Sequence, residues 1–528
     1  HCPQPISPMW FDIGGWWYTC NYMYRRFGVP FGKDWLGKIV DGYVHSAVVP
    51  RDPKEEAELA PYFGMVMPIY ADKFLGWWKN RLLPEILRNF EYLDTFPMDT
   101  SSLPELMILL EDAIDIQERH FRLHWVLNMA QFQTSKAFEG LLVEYLGAEQ
   151  KPLAGRILVS DEDRNWDSIR ELWNMKEKVK KSTAVKAAFD TNETGSGVMR
   201  ALADSEDGRA LLKEIDAYKM EFGNKSMYTH EYIYTTWRED PTPIVEALRG
   251  YLLSDYDYPK DVQQLREGRD KAIAEMWALF PKDRPQADRD KLQSALDLAL
   301  KMTPLTPDHH FYMDQGTYAR VRLVLMAIGR KMVELGVLSQ PDDVLFLKYH
   351  ELRVLSANFQ AFDGKALTKQ RRKQRDKNFG VRPRLWAGTI THWSLYQEPY
   401  KQGLWDWPDI YERSKQAAKQ PAGILRGLGA SAGVVEGTAR IVQSPEQFDQ
   451  VTKGDVLVCK MTNPAWVVLF TKISGLVTDS GGALSHPAVV SREFGIPAVV
   501  GTTTATQKIK TGQRIRVNGA VGIVEILE

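Results

Sequence analysis

In SSLPELMILLEDAIDIQERHFRLHWVLNMAQFQTSKAFEGLLVEYLG, residues 101–147, apolar positions recur at spacings of three and four throughout. That period marks a helix with one face turned to a core. Ser101 and Ser102 offer an N-cap and Gly147 a stop, so one long helix is predicted between them. TYARVRLVLMAIGRKMVELGVL repeats the pattern from Thr317 and ends at Gly336. Helical patterning also covers 54–90, 167–222, 242–300 and 349–376. Residues 1–395 therefore read as a large, mainly α-helical domain. No repeat period is visible.

After about residue 395 the texture changes. YKQGLWDWPDIYERSKQAAKQPAG is polar and loosely patterned, and Pro421 and Gly423 close it, so 396–423 reads as a linker. Beyond it, short β-branched runs alternate with turns: GTARIV, DVLVCK, GLVTD, PAVVG, RIRVNG and GIVEIL. A short helix fits SHPAVVSREFG. Residues 424–528 are thus expected to form a compact α/β domain, and the whole an α+β multidomain chain.

Composition narrows the partners. A formal net charge of −1 over 528 residues argues against a general nucleic-acid or membrane-surface partner. No apolar run approaches the roughly 18 residues of a membrane span. Three cysteines, Cys2, Cys20 and Cys459, are too few for a disulfide framework, so a cytoplasmic setting is expected. The chain opens HCPQPISPMW without a Met, which suggests that an N-terminal piece precedes it. It has 16 Trp, 21 Tyr and 21 Phe, with Trp crowded near the start, either as packing aromatics or as the wall of an apolar or aromatic ligand pocket.

The candidate chemistry centres on TDSGGALSHPAVVSREFG, residues 478–495. Gly481 and Gly482 permit a close, unusual backbone turn. Ser485 is an N-cap candidate, Pro487 suits the first helical turn and Gly495 supplies a stop. His486 then stands at a helix N-terminus. Free N–H groups there lower the imidazole pKa, keep a nitrogen lone pair available, and stabilise a phosphate once attached. A capping or surface histidine is the plain alternative; a metal ligand would lack a partner three or four residues on.

The stretch from LRGLGASAGVVEGTARIV through KGDVLVCKMTNPAW and GGALSHPAVVSREFGIPAVVGT to TGQRIRVNGAVGIVEIL resembles the phosphohistidine swivelling domain of the phosphoenolpyruvate-utilising enzyme family, which includes rifampicin phosphotransferase. The resemblance covers 424–528, aligns His486 with the phosphorylated histidine, and implies a β/β/α-type domain. Upstream, QPISP, TTWREDP and DHHFYMDQ resemble parts of the family's acceptor-substrate domain. Neither the family's ATP-grasp module nor its phosphoenolpyruvate-binding barrel falls within the resemblance. The arrangement is similar to the histidine-bearing subunit of phenylphosphate synthase. That likeness implies a separate ATP-binding, ATP-grasp-like partner subunit holding Mg2+ with ATP. It also implies transfer from His486 to a small aromatic alcohol such as phenol. Two alternatives stay open: a larger hydroxylated acceptor, or a phosphocarrier that serves another protein.

Around His486, Thr478, Gly481, Gly482, Ser485 and Arg492 are candidates to support the phosphohistidine. For the acceptor, PDHHFYMDQ gathers Asp308, His309, His310 and Asp314, although a capped turn before the helix at Thr317 would explain it equally. NKSMYTHEYIYTTWRED adds Lys225, His230, Arg238 and Glu239, which structural roles could also account for. His120 and His124 have i, i+4 spacing suited to a metal, but no acidic third ligand is evident and packing is the preferred reading. RRKQRDK, residues 371–377, is a solvated helix face or a docking site for the nucleotide-binding partner.

Overall fold

In the predicted helix at 101–147, the N–H and Oγ–H of Ser102 both donate to the Glu105 carboxylate, at 2.7 and 2.6 Å. This satisfies a helix start that backbone alone leaves open. Gly147 ends the helix at φ +102°, a conformation that glycine tolerates. The computed structural model describes residues 4–383 and 423–527, apart from positions 31, 50, 193, 254–256, 382, 444, 463–465, 471 and 482–485. The expected linker, 396–423, lies outside the described residues except for Gly423.

The helical part begins with α1 (Trp17–Phe27), a hairpin of β1 (Asp34–Val40) and β2 (Tyr43–Val49), α2 (Pro53–Trp77), α3 (Leu83–Thr95) and α4 (Leu103–Leu146). It continues through α5 (Arg164–Lys181), α6 (Glu206–Phe222), α7 (Gln286–Met302), α8 (Thr317–Glu334) and α9 (Gly364–Asn378), with shorter helices between. At 44 residues α4 is about 66 Å long and acts as the spine. Its first half, Leu103 to Ala130, enters one core with residues of α1, α3 and α8. Phe138, Leu142 and Tyr145 enter a second core with Leu292 and Leu296 of α7.

Two departures from the predicted elements matter. The β1–β2 hairpin sits inside a region read as helical, and it turns on Asp41 and Gly42, both at positive φ. PDHHFYMDQ is no capped turn. A helix over Leu305–His309 runs into a π-wound segment, His310–Gly316, and then directly into α8. A second π-wound segment, Trp10–Gly14, lies beside α8: Gln117 Nε2 donates to Ile13 O and the Tyr318 hydroxyl to Gly14 O, both at 2.5 Å.

The C-terminal part is an eight-stranded sheet in the order β3-β10-β9-β5-β6-β7-β8-β4. Its strands are β3 (Ile424–Arg426), β4 (Leu428–Ser431), β5 (Val434–Ile441), β6 (Val456–Cys459), β7 (Gly475–Thr478), β8 (Ala498–Val500), β9 (Arg514–Asn518) and β10 (Ile523–Ile526). β5 to β8 run parallel, and every residue of β6, β7 and β8 is buried, as strands covered on both faces must be. Leu457, Cys459 and Leu476 face one core together with Ala488 and Val490 of α10 (His486–Glu493). Val456, Val458 and Val477 face the other with Ala505 and Ile509. The fold class is as expected: a large, mostly helical part followed by a compact α/β domain. Among the described residues no helix is long and apolar enough to cross a membrane, and Cys20 and Cys459 are free and buried.

Candidate active site

Three successive turns of α4 present His120, His124 and Asn128 along one face, four residues apart. Each meets a residue of the helical run 305–317, which passes in the opposite direction. His120 Nδ1 lies 2.8 Å from Thr317 Oγ1, His124 Nδ1 3.0 Å from Asp314 Oδ1, and Asn128 Nδ2 3.5 Å from His309 Nε2. The partner steps are three residues and then five. The five-residue step spans the start of the π-wound segment, whose wider turn keeps Asp314 and His309 in register with α4.

Asp314 is the centre of this cluster and only 1% exposed. His310 Nδ1–H donates to its Oδ2, and His230 Nε2 lies 3.7 Å from the same oxygen. Burial alone would raise the Asp314 carboxyl, but the neighbouring His124 and His310 rings hold it well below the usual carboxylate range. The His310 side chain is 46% exposed, so its ring reaches outward while Asp314 fixes its tautomer. That arrangement leaves Nε2 as a proton acceptor, the geometry a general base needs. His309 is fully enclosed: its Nδ1–H donates to Leu305 O at 3.0 Å, and burial pushes its pKa well below the ordinary value. Burial likewise lowers His230, against the opposing pull of Asp314.

Aromatic rings wall the cluster. Phe121 stacks on His124 with centroids 5.4 Å apart, and Trp125 meets the same ring edge-on at 5.0 Å. Trp16 and Tyr318 approach His230 at 5.6 and 5.7 Å. A cavity of about 280 Å3 lies near α4 between Arg26, Arg81, Tyr70, Trp77 and Val126, but no residue of the cluster lines it.

His120 is not part of the constellation. Asn89 Nδ2–H donates to its Nε2 at 3.1 Å, so Nδ1 carries the proton that goes to Thr317. Burial pulls its pKa down to about 3 from 6.5. Between those values the unfolded chain binds a proton that the folded chain does not, so stability rises with pH across the window. Acidification from pH 6.5 toward 3 should therefore cost up to about 1.4 kcal/mol per pH unit through this group. In urea titrations across that range, His120→Gln should have a shallower pH slope than the unaltered chain; equal slopes would refute the assignment.

The remaining acceptor-side candidates are engaged elsewhere. Asp308 accepts the Arg164 backbone N–H at 2.9 Å, and burial raises its carboxyl to about 7. Lys225 is buried, donates to Ser168 Oγ and lies over Trp237, with its pKa lowered to about 7 by burial. Arg238 pairs with Asp94 at 2.9 Å, and Glu239 with Arg322 at 2.8 Å. The structure thus brings His230, His309, His310 and Asp314 together and adds His124, which the i, i+4 pattern had paired with His120. An acidic partner for His124 does exist, 190 residues further along the chain.

In the α/β domain, α10 starts at His486, with Pro487 as its second residue, and ends at Glu493, two residues before Gly495, φ +61°. The helix is seated on the sheet by buried Ala488 and Val490, and Ser431 Oγ donates to Ser491 O at 3.2 Å. The preceding turn is pinned from several sides. Thr478 Oγ1 donates to Ser480 O at 2.7 Å, so this hydroxyl braces the loop. Asp479 accepts from the Thr506 N–H at 3.0 Å and from its hydroxyl. Gly481 has φ +131°, as a tight glycine turn requires. A Cβ on Gly501 would come within 2.8 Å of Gly481 O, so this close approach depends on glycine. Gly482 and Ser485 lie outside the described residues, as do the side chains of His486 and Arg492.

Comparison with known proteins bears on both parts. Residues 451–522 match the family model of the PEP-utilising enzyme mobile domain, and residues 124–306 that of the rifampicin phosphotransferase fourth domain. Chondramide synthase of Chondromyces crocatus is 26% identical over 100% of this chain and 14% of its own length. An uncharacterized phosphotransferase of Bacillus subtilis is 27% identical over 76% of this chain and 47% of its own. Rifampicin phosphotransferase of Bacillus cereus is 29% identical over 62% of this chain and 36% of its own. The chain spans less than half the length of these relatives. The α/β part, whose α10 begins at His486, is thus similar to the mobile domain of PEP-utilising enzymes, and the helical part, which gathers four histidines around one aspartate, to the rifampicin phosphotransferases.

Proposed function

We propose that the chain is the phosphohistidine-bearing part of a phosphotransferase. His486 takes up a phosphoryl group and passes it to the hydroxyl of an organic acceptor held against the His310–Asp314 pair. The observation that carries this reading is the start of α10 at His486, five residues after Gly481 with its φ of +131°, in the stretch that matches the mobile domain. The relatives of the helical part favour a hydroxylated organic acceptor in the manner of rifampicin phosphotransferase over phenol. In the transfer, the N–P bond on His486 breaks and an O–P bond to the acceptor forms. The hydroxyl proton passes to His310 Nε2, and Asp314 offsets the imidazolium charge. ATP with Mg2+, bound on a separate ATP-grasp-like subunit or module, is the proposed source of the phosphoryl group.

A second reading narrows the acceptor to phenol or a related small aromatic alcohol. Supporting it, the rings of Trp16, Phe121, Trp125 and Tyr318 pack around the cluster, and a planar guest would find edge and face contacts there. The two readings separate in one experiment. The chain is charged with phosphoramidate, freed of donor, and offered rifampicin or phenol in separate tubes. Phosphorylated rifampicin without phenylphosphate supports the first; phenylphosphate alone turns the assignment to phenol. Discharge to another protein and to neither compound would sink both in favour of a carrier.

A further inference from the structure

Two buried atoms at the centre of the cluster face each other: His124 Nδ1 and Asp314 Oδ1 lie 3.0 Å apart as an ion-pair contact, and neither forms a well-aligned hydrogen bond. His309 faces the same point. Its Nδ1 is committed to Leu305 O, and its Nε2 has only the long 3.5 Å contact from Asn128. One ligand atom from each of His124, His309 and Asp314 can be chosen so that all lie within 4.8 Å of one another.

We propose that His124 Nδ1, His309 Nε2 and Asp314 Oδ1 are the protein ligands of a divalent transition-metal ion. The 3.0 Å separation of the first and third atoms subtends roughly 90° at an ion about 2.1 Å from each, the angle between neighbouring ligands of an octahedron. Closing His309 onto the same ion requires the spread of up to 4.8 Å among the three atoms to contract by about an ångström. Supporting contacts are already in place: Leu305 O fixes the His309 tautomer, and Asp314 Oδ2 is held by His310, leaving Oδ1 free for the ion. Two imidazoles among three donors select an ion such as zinc or cobalt over magnesium or calcium. Three protein ligands leave coordination positions open, as in catalytic sites.

The consequence rests on the proposed phosphotransfer. An acceptor hydroxyl entering an open position would lose its proton more easily, with His310 alongside to receive it. The site itself is tested without turnover. The full chain is stripped with a chelator and titrated with Co2+, followed by calorimetry and by visible absorption. The proposal expects one Co2+ per chain with ligand-field bands. Both signals should disappear in His124→Ala and His309→Ala, with folding checked by circular dichroism. His310→Ala, which removes only an outer contact, should weaken binding about tenfold. Absence of stoichiometric binding to the unaltered chain would overturn the site, as would binding indifferent to His309→Ala. Either result leaves the phosphoryl-discharge assay to judge the transferase reading on its own. Binding without discharge would keep the metal site and remove its catalytic role.

Discussion

A His486→Ala chain should take up no stable phosphoryl group from phosphoramidate, whereas the unaltered chain should gain one that acid removes and base does not. The sequence contains 10 histidines, so the mutant is the control that identifies which of them reacts. His486 opens α10, and the positive end of a helix in general favours an anion attached there. Residues 478–481 are braced by bonds of Thr478 and Asp479, and Ala488 and Val490 seat α10 on the sheet, none of which uses the imidazole, so removing it should leave the domain intact. Losing the group that carries the phosphoryl should lower turnover by about 10⁴-fold or more. Intact-mass measurement decides it. A mutant that gains the same phosphoryl group as the unaltered chain would mean that another histidine is the carrier.

His310→Ala should separate the two halves of the reaction. Charging of His486 proceeds normally, while discharge of the pre-charged chain to its acceptor slows by about 10²–10⁴-fold, the usual worth of a positioned general base. The side chain is accessible where Asp314 and His309 are not, and its Nδ1–H is held by a carboxylate kept ionised by its surroundings. Asp314→Asn would act through the ring: an amide can donate to Nδ1, which moves the proton to Nε2 and closes the accepting position. Single-turnover discharge, with and without added imidazole, provides the readout. Partial recovery of His310→Ala by imidazole supports proton transfer at that point. Unaltered discharge in the variant would remove His310 from the mechanism.

Much of the α/β domain was legible because its strands are short, β-branched and separated by turns. All six runs read as strands are present as β5 to β10. β3 and β4 were missed because ILR and LGAS carry too little pattern to register, being three and four residues long at the sheet's two edges. The β1–β2 hairpin did have a signal: Asp41-Gly42 between alternating apolar residues is a strong hairpin turn, obscured by the helical context around it. At the cluster, local reading singled out His309, His310, Asp314 and His230 by their density of titratable groups. It set His124 beside His120 and found no acidic third ligand nearby. Spacing along one helix says which residues share a face, and what that face meets is decided by packing. His120 and His124 do share a face, but Thr317 and Asn89 satisfy one while Asp314 meets the other.

The π-wound segment His310–Gly316 has a genetic consequence. Such a turn holds one residue more than the α-helical turn it replaces. Deleting a single codon inside it would let the helix close into regular α form, with better backbone hydrogen bonding and little disturbance to α8. Because the wide turn absorbs its extra residue locally, the same deletion would leave His309 facing α4, now four residues from Asp314 as Asn128 is from His124. A deletion between His310 and Asp314 would shorten their spacing from four residues to three and re-aim the His310 ring on the carboxylate. One in-frame codon there would thus spare the buried contacts with α4 and alter the exposed histidine alone.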